Sequence, residues 1–302
     1  MDPTVDYLGQ TPPANTPLRF APDLVSTGHH EHSRIVFSPD GLELYWAVIP
    51  VDPDFQQGGS NPFLPNQQNI WFTRKSSEGW SKPRILPVTE NSSASSPALD
   101  KDGKTLYFKT LDPQADPDQR PRPRILYAAS KENDEWNNPL IVSDILPSEK
   151  GLVSSSFCFA ENKNLYFDLG GPGETGAWQW RVYVSKFQNG HYDEPQLLPD
   201  RINDGQINWC PWIAPDESYL IWSSHREGEV GSGDLYVSFQ QPDGSWTAPL
   251  NLGESINTPN QERFPSVSPD GHYLFFSRHA DDETFSDIYW VNINTLTKLH
   301  PG

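Results

Sequence analysis

Histidine supplies the densest chemistry in this chain. His29-His30-Glu31-His32 places three imidazoles within four positions. His225 and His279 each end a short polar run, Ser223-Ser224-His225-Arg226 and Ser277-Arg278-His279. An imidazole titrates near neutral pH, serves as a general acid or base, and is the commonest side-chain ligand for transition metals. The cluster lacks the helical zinc pattern with two histidines four apart. Three readings stay open: solvated loop histidines, contacts to a small polar ligand, or a divalent metal (Mn, Zn or Ca) on His30, His32, His225 and His279. Trp209, Arg226, Glu262, Arg263 and Arg278 stand close to these histidines in the pattern. Arginine beside an aromatic ring suits a carboxylate or anionic sugar, through bidentate hydrogen bonds and stacking.

The elements that must hold these side chains recur along the chain. Phe37-Ser38-Pro39-Asp40-Gly41-Leu42-Glu43-Leu44-Tyr45-Trp46 has a close copy at Val267-Ser268-Pro269-Asp270-Gly271-His272-Tyr273-Leu274-Phe275-Phe276, with three further copies around Leu106, Leu165 and Leu220. The aligned leucines, 44, 106, 165, 220 and 274, are 62, 59, 55 and 54 residues apart. A fixed period of this size marks a repeat architecture. Each copy reads as two short strands joined by a Pro-Asp-Gly turn. A third strand with a central aromatic follows, and in the first four copies a fourth, ending near a proline, which suits a sheet edge.

The fifth copy lacks this outer strand, and Pro17-Leu18-Arg19-Phe20 has the spacing to supply it. The expected fold is an all-β, five-bladed propeller of four-stranded antiparallel blades, closed by the N-terminal strand; six blades are the alternative. Residues 1–302 then form a single domain, with 1–16 as an extended lead-in and 17–26 as the closing segment.

The Ser-Pro-Asp-Gly turn followed by a Leu-aromatic pair resembles the WD40-like propeller repeats of the TolB type. Cys210-Pro211-Trp212-Ile213-Ala214-Pro215-Asp216 and Asp287-Ile288-Tyr289-Trp290-Val291 are similar to that family's phrasing, and Tyr7-Leu8-Gly9-Gln10-Thr11-Pro12-Pro13 looks like the lead-in of exported bacterial members. The resemblance covers nearly the whole chain, except that the third repeat has no Pro-Asp-Gly at its turn. It implies a periplasmic or extracellular bacterial protein. It also implies either a binding module or, as in some relatives with histidine-held metal, a lyase or hydrolase acting on acidic sugars.

Composition narrows the partners. A net charge of −18 argues against nucleic acid, which needs basic clusters. No apolar run approaches the roughly 18 residues of a membrane span, and no secretory signal precedes residue 20. A monomer is expected, with a small polar molecule, a glycan or a protein as partner. Cys158 and Cys210 read as buried structural thiols. Counting Asn162 as the glycine equivalent of repeat 3, their offsets of four and seven point them to opposite sheet faces, so no disulfide is expected.

Within each blade the turns between first and second strands are short and uniform. The loops between second and third strands, and the crossovers into each first strand, are long and individual. Function concentrates on such variable loops, so that face is expected to carry the site: His29, His30, Glu31, His32, Trp209, His225, Arg226, Glu262, Arg263, Arg278 and His279. Phe55, Phe63, Trp178 and Trp180 are further stacking candidates. Gly170–Gly173 is no phosphate cradle, because no helix or lysine follows. Asp281-Asp282-Glu283 is a calcium candidate without regular ligand spacing, for which a solvated loop is the plainer reading.

Overall fold

A computed structural model of the chain describes residues 6–52, 64, 67–90, 92–112, 124–142, 152–173, 176–205, 207–279 and 285–294. The expectations for Phe55, Phe63 and Asp281–Glu283 lie outside these residues. Strands dominate, and among the described residues one short helix, Asp200–Asn203, and one 3-10 turn, Pro87–Thr89, interrupt them.

Each repeat folds as an antiparallel meander. In repeat 2, Ser95–Leu99, Thr105–Leu111, Arg124–Glu132 and Leu140–Ile141 pair in that order. Repeat 4 uses Ile207–Ile213, Tyr219–His225, Asp234–Phe239 and Leu250–Asn251 in the same way. Repeat 3 has Phe157–Phe159, Leu165–Pro172, Trp178–Ser185 and Gln196–Leu197. In repeat 1 the inner strand is split into His30–Glu31 and Val36–Phe37, both paired with Glu43–Ile49, and Asn69–Ser76 and Arg84–Ile85 follow.

Repeat 5 contributes Glu262–Val267, Tyr273–His279 and Ser286–Asn292. Its outer place is taken by Leu18–Arg19, which pairs antiparallel with Tyr289 and Trp290. Residues beyond the strand fix this seat. Phe20 donates its amide to the Ile288 carbonyl, and the Ser26 hydroxyl both accepts from the Ile288 amide and donates to its carbonyl. Asn203 does the same for Val182, and Asn257 for Leu235. One crossover device thus anchors three joins, including the one made by the N-terminal segment.

Strands of this kind, apolar on both faces, must be covered on both. Five apolar clusters do this, each between two repeats. Tyr45, Leu86 and Phe108 fill the 1–2 interface; Leu126, Phe157 and Phe167 the 2–3; Tyr166, Ile202 and Trp222 the 3–4; Leu235, Leu274 and Phe276 the 4–5. The fifth joins Tyr7, Phe20 and Val25 to Trp46 of repeat 1 and to Phe275 and Trp290 of repeat 5.

Two sequence expectations are corrected here. In repeat 3 the left-handed turn position is Lys163 (φ 71°), not Asn162; Asn162 instead accepts the Asn164 amide, as Asp40 accepts that of Leu42. The offset argument for the cysteines therefore fails, and a bulge at Cys210 disturbs the count again. The two thiols are nevertheless free and buried. Bulges occur in the inner strands of repeats 2, 4 and 5, where Ser96, Cys210 and Phe264 take φ near +50° (53°, 52° and 53°). Each precedes a proline, Pro97, Pro211 and Pro265. Proline has no N–H for the ladder, so the strand bulges there.

Candidate metal centre

Three of the five singled-out histidines converge. The rings of His30 and His32 stack with centroids 4.7 Å apart, and that of His279 meets His30 edge-on at 4.8 Å. One ring nitrogen from each lies within 4.8 Å of the others. His30 and His32 come from the crossover into repeat 1, and His279 from the end of the second strand of repeat 5. Phe264, at the bulge, packs against His32 with centroids 4.9 Å apart. His30 and His279 are almost inaccessible, whereas part of His32 is exposed although its Nδ1 is buried.

These imidazoles are held neutral. Burial is the main cause and the Arg263 guanidinium adds to it, pushing His30 down to about 3 and His32 and His279 well below the usual range. Neutral imidazole is the form that ligates metal. His32 Nδ1 and His279 Nε2 are buried with no hydrogen-bond partner among the described residues, a state that costs free energy unless a ligand satisfies it. Ser286 Oγ lies 3.1 Å from His30 Nδ1 and orients that ring. Zinc ligated by nitrogen at about 2.0–2.1 Å needs ligand atoms roughly 3.4 Å apart. Three imidazole nitrogens suit zinc; manganese and calcium, which favour oxygen ligands, fit less well.

The other candidates divide. His29 is exposed, its Nδ1 accepting from the Val51 amide at 3.3 Å, and stands outside the cluster. His225 occupies the same slot in repeat 4 that His279 occupies in repeat 5, but its neighbours are repeat 4 residues and, from the next inner strand, Arg263, in place of the two histidines beside His279. It faces Trp209, with ring centroids 5.7 Å apart, and its Nδ1 is 3.7 Å from Glu229. It is therefore no ligand of the three-histidine centre. Glu31 is buried, accepts from the Thr27 hydroxyl at 2.7 Å and from its amide, and is pushed up to about 8 by burial.

Glu262 and Arg278 are consumed by each other at 2.8 Å, with Thr258 and the Ile256 carbonyl as their remaining partners. Arg226 is likewise structural: it donates to the Ile202 carbonyl at 2.6 Å and lies over Trp222 and Tyr236. The Arg263 guanidinium stacks 4.2 Å from the ring centre of half-buried Trp209, and its charge is felt by all three clustered histidines. Trp180 meets Trp209 edge-on at 6.0 Å, and Trp178 is exposed. Glycine at 170 is required by Trp180, whose ring would lie 2.6 Å from any added Cβ.

Sequence reasoning missed a polar group deeper between the inner strands. Arg34 bridges three repeats: it donates to the Phe157 carbonyl at 2.7 Å, to Ser156 Oγ at 2.7 Å and to the Pro211 carbonyl at 2.6 Å. Asp168, fully buried, accepts from the amides of Ser155, Ser156 and Cys210 and from the Ser155 hydroxyl. Lys109, also buried, donates to the Ser154 carbonyl at 2.5 Å. The available signal was a charge three residues after the aligned leucine, inside an apolar run, as at Lys109 after Leu106 and Asp168 after Leu165. On the opposite side, the uniform turns frame an apolar funnel of about 310 Å³ with Arg34 among its lining residues and Phe37, Phe159 and Trp212 in its wall.

Lys109 carries a pH prediction. Burial pushes it down to about 7, against an ordinary value near 10.4. Between those values the unfolded chain holds a proton that the folded chain lacks, so this group makes stability rise with pH. Lys109→Met removes that rise. Urea unfolding from pH 7 to 10 is expected to give a parent-minus-variant difference that grows by on the order of 3 kcal/mol; parallel profiles would contradict it.

No protein-family model matches the sequence, and no curated protein is similar to it at the sequence level. Solved structures do resemble it. A putative TolB from Agrobacterium tumefaciens superposes with a TM-score of 0.51 at 15% identity, over 87% of this chain and 77% of that one. An α-L-arabinofuranosidase from Lactobacillus brevis gives 0.52 at 13% identity, over 88% and 92%. TolB from Acinetobacter baumannii gives 0.46 at 11%, over 86% of this chain, which spans only 56% of that protein. The structural neighbours are thus TolB-like β-propeller proteins, and at these identities the likeness defines the fold alone.

Proposed function

We propose that the chain is a single-domain, five-bladed propeller, closed by its N-terminal strand, that binds a divalent metal at His30, His32 and His279 and through it a small oxygen-rich anion. The observation that carries this is the convergence of three neutral imidazoles whose nitrogens lie within 4.8 Å of one another. Arg263, stacked on Trp209, stands beside them as the cation that would receive a carboxylate. The ligand on this reading is a uronate-like sugar or another small carboxylate, or a carboxylate presented by a partner protein. The TolB-like likeness supports a periplasmic or extracellular setting, and the absence of a long apolar helix among the described residues is compatible with it.

A second reading is a metal-assisted lyase or hydrolase acting on an acidic sugar. It draws on the ligand count: three protein ligands leave a coordination position open, the arrangement that catalytic zinc sites use.

Metal analysis of protein purified without chelator tests both. One zinc per chain is expected, with a thermal shift on adding back zinc to stripped protein. His279→Ala should abolish the shift, whereas His225→Ala should leave it unchanged. Equal loss in the two variants, or no bound metal, would refute the assignment. Turnover of galacturonate oligomers by the loaded protein decides between receptor and enzyme.

A further inference from the structure

We infer that metal at this centre also fastens the join between the N-terminal segment and the last repeat, so that metal occupancy regulates how tightly the ring is shut. The inference rests on the metal reading above. Its basis is where the three ligands come from. His30 and His32 follow directly on the closing segment, while His279 ends a strand of the last repeat. A metal on all three would tie the two ends of the fold together.

The backbone at this join is held at two places. Leu18–Arg19 makes a two-residue pair with Tyr289 and Trp290, as long as the outer-strand pairs of the other repeats and extended by the Phe20 amide bond to the Ile288 carbonyl, and the inner side carries one parallel bridge, His30 to Ser286. The neighbouring strands of repeat 5 share a seven-residue register, Tyr273–His279 against Ser286–Asn292. The remaining inner link is polar: Ser286 Oγ contacts His30 Nδ1 at 3.1 Å and donates to the Glu31 carbonyl at 3.0 Å, between residues 256 and 255 apart in sequence. Elsewhere consecutive repeats are connected covalently by their crossovers. Here covalent continuity is absent, and only side chains and a short ladder oppose separation.

Opening this join moves His30 and His32 away from His279, so the centre must lose at least one ligand. Metal that binds only the shut form suppresses opening by a factor of 1 + [M]/Kd. Holding two chain ends so far apart in sequence also removes loop entropy, which grows only slowly with loop length. The centre therefore acts at the join where the last repeat meets the N-terminal segment without a covalent link.

Hydrogen exchange of the full chain tests this, with the zinc Kd first measured by competition against a chromophoric chelator. At free zinc about 100 times Kd, peptides covering residues 18–32 and 285–292 are expected to exchange roughly 100-fold more slowly. Peptides covering 165–185 should be unaffected. His279→Ala should lose both binding and protection. Ser26→Ala, which removes the hydroxyl bonded to the Ile288 amide and carbonyl but touches none of the three histidines, should exchange faster at the join yet keep the response to zinc. Stoichiometric binding with unchanged exchange at the join, or with equal slowing everywhere, overturns this inference and leaves the metal reading standing. Absence of binding overturns both.

Discussion

Removal of residues 1–26 is expected to leave a chain that is barely folded and that self-associates. The segment buries Tyr7, Phe20 and Val25 in the cluster shared by repeats 1 and 5. Side chains of this kind contribute roughly 1.5–3 kcal/mol each, so their loss costs about 5–9 kcal/mol, comparable to the whole stability of an ordinary domain. The deletion also removes the Tyr7 hydroxyl bond to Asp270 at 2.6 Å and the Lys75–Asp6 ion pair. It strips the edge of Ser286–Asn292, and an unpaired edge invites pairing with other chains. Phe20→Ala is the milder probe, expected to cost about 3–5 kcal/mol in urea while the chain stays monomeric. A truncated protein that sediments as a monomer with an unchanged melting temperature would rule out the closing role.

Replacement of Arg34 is expected to be nearly as damaging. Its guanidinium satisfies acceptors on repeats 3 and 4 from a position on repeat 1, and the residue is only 4% exposed. Arg34→Met removes the donor to the Phe157 carbonyl and the Ser156 hydroxyl and leaves the Pro211 carbonyl with only the weak Cys158 thiol at 3.3 Å. Buried acceptors left without donors cost about 1–3 kcal/mol each, so a loss of roughly 3–5 kcal/mol is expected, in line with breaking other buried charged networks. Arg34→Lys keeps the charge but cannot reach three acceptors, and should recover only part of the loss. Chemical denaturation of both variants measures this; a loss below about 1 kcal/mol for Arg34→Met would mean that the acceptors find other donors.

The repeat and its turns were legible because they rest on local chemistry, and the pairing of Leu18–Arg19 with Tyr289 and Trp290 followed from the spacing of the repeats. Asp40 and Asp270 cap their turns through the same backbone amide, and Gly41 and Gly271 supply the same left-handed residue. The third repeat misled because Lys163 adopts that conformation without being glycine. The histidines were legible as a group but not as a geometry. Equal offsets put His225 and His279 in equal slots of different blades, and a slot's company is set by the next inner strand: His30 and His32 for one, Arg263 for the other. Arg226 and Arg278 looked like ligand groups because their partners, the Ile202 and Ile256 carbonyls and Glu262, are distant in sequence. Arg34, Lys109 and Asp168 were hidden for the converse reason. A buried charge inside an apolar strand makes sense only once the acceptors and donors from other repeats are known.

The pre-proline bulges have a consequence for recognition. The inner strands of repeats 2 to 5 are edges of their sheets, and an intact edge offers a guest peptide a ready ladder of amides and carbonyls. At Ser96-Pro97, Cys210-Pro211 and Phe264-Pro265 that ladder is broken, by a missing N–H and by a residue turned to positive φ. Three of these four edges are thus closed to strand addition. Whatever enters there has to be read by side chains, residue type by residue type, and a partner selected for its backbone alone would find no grip.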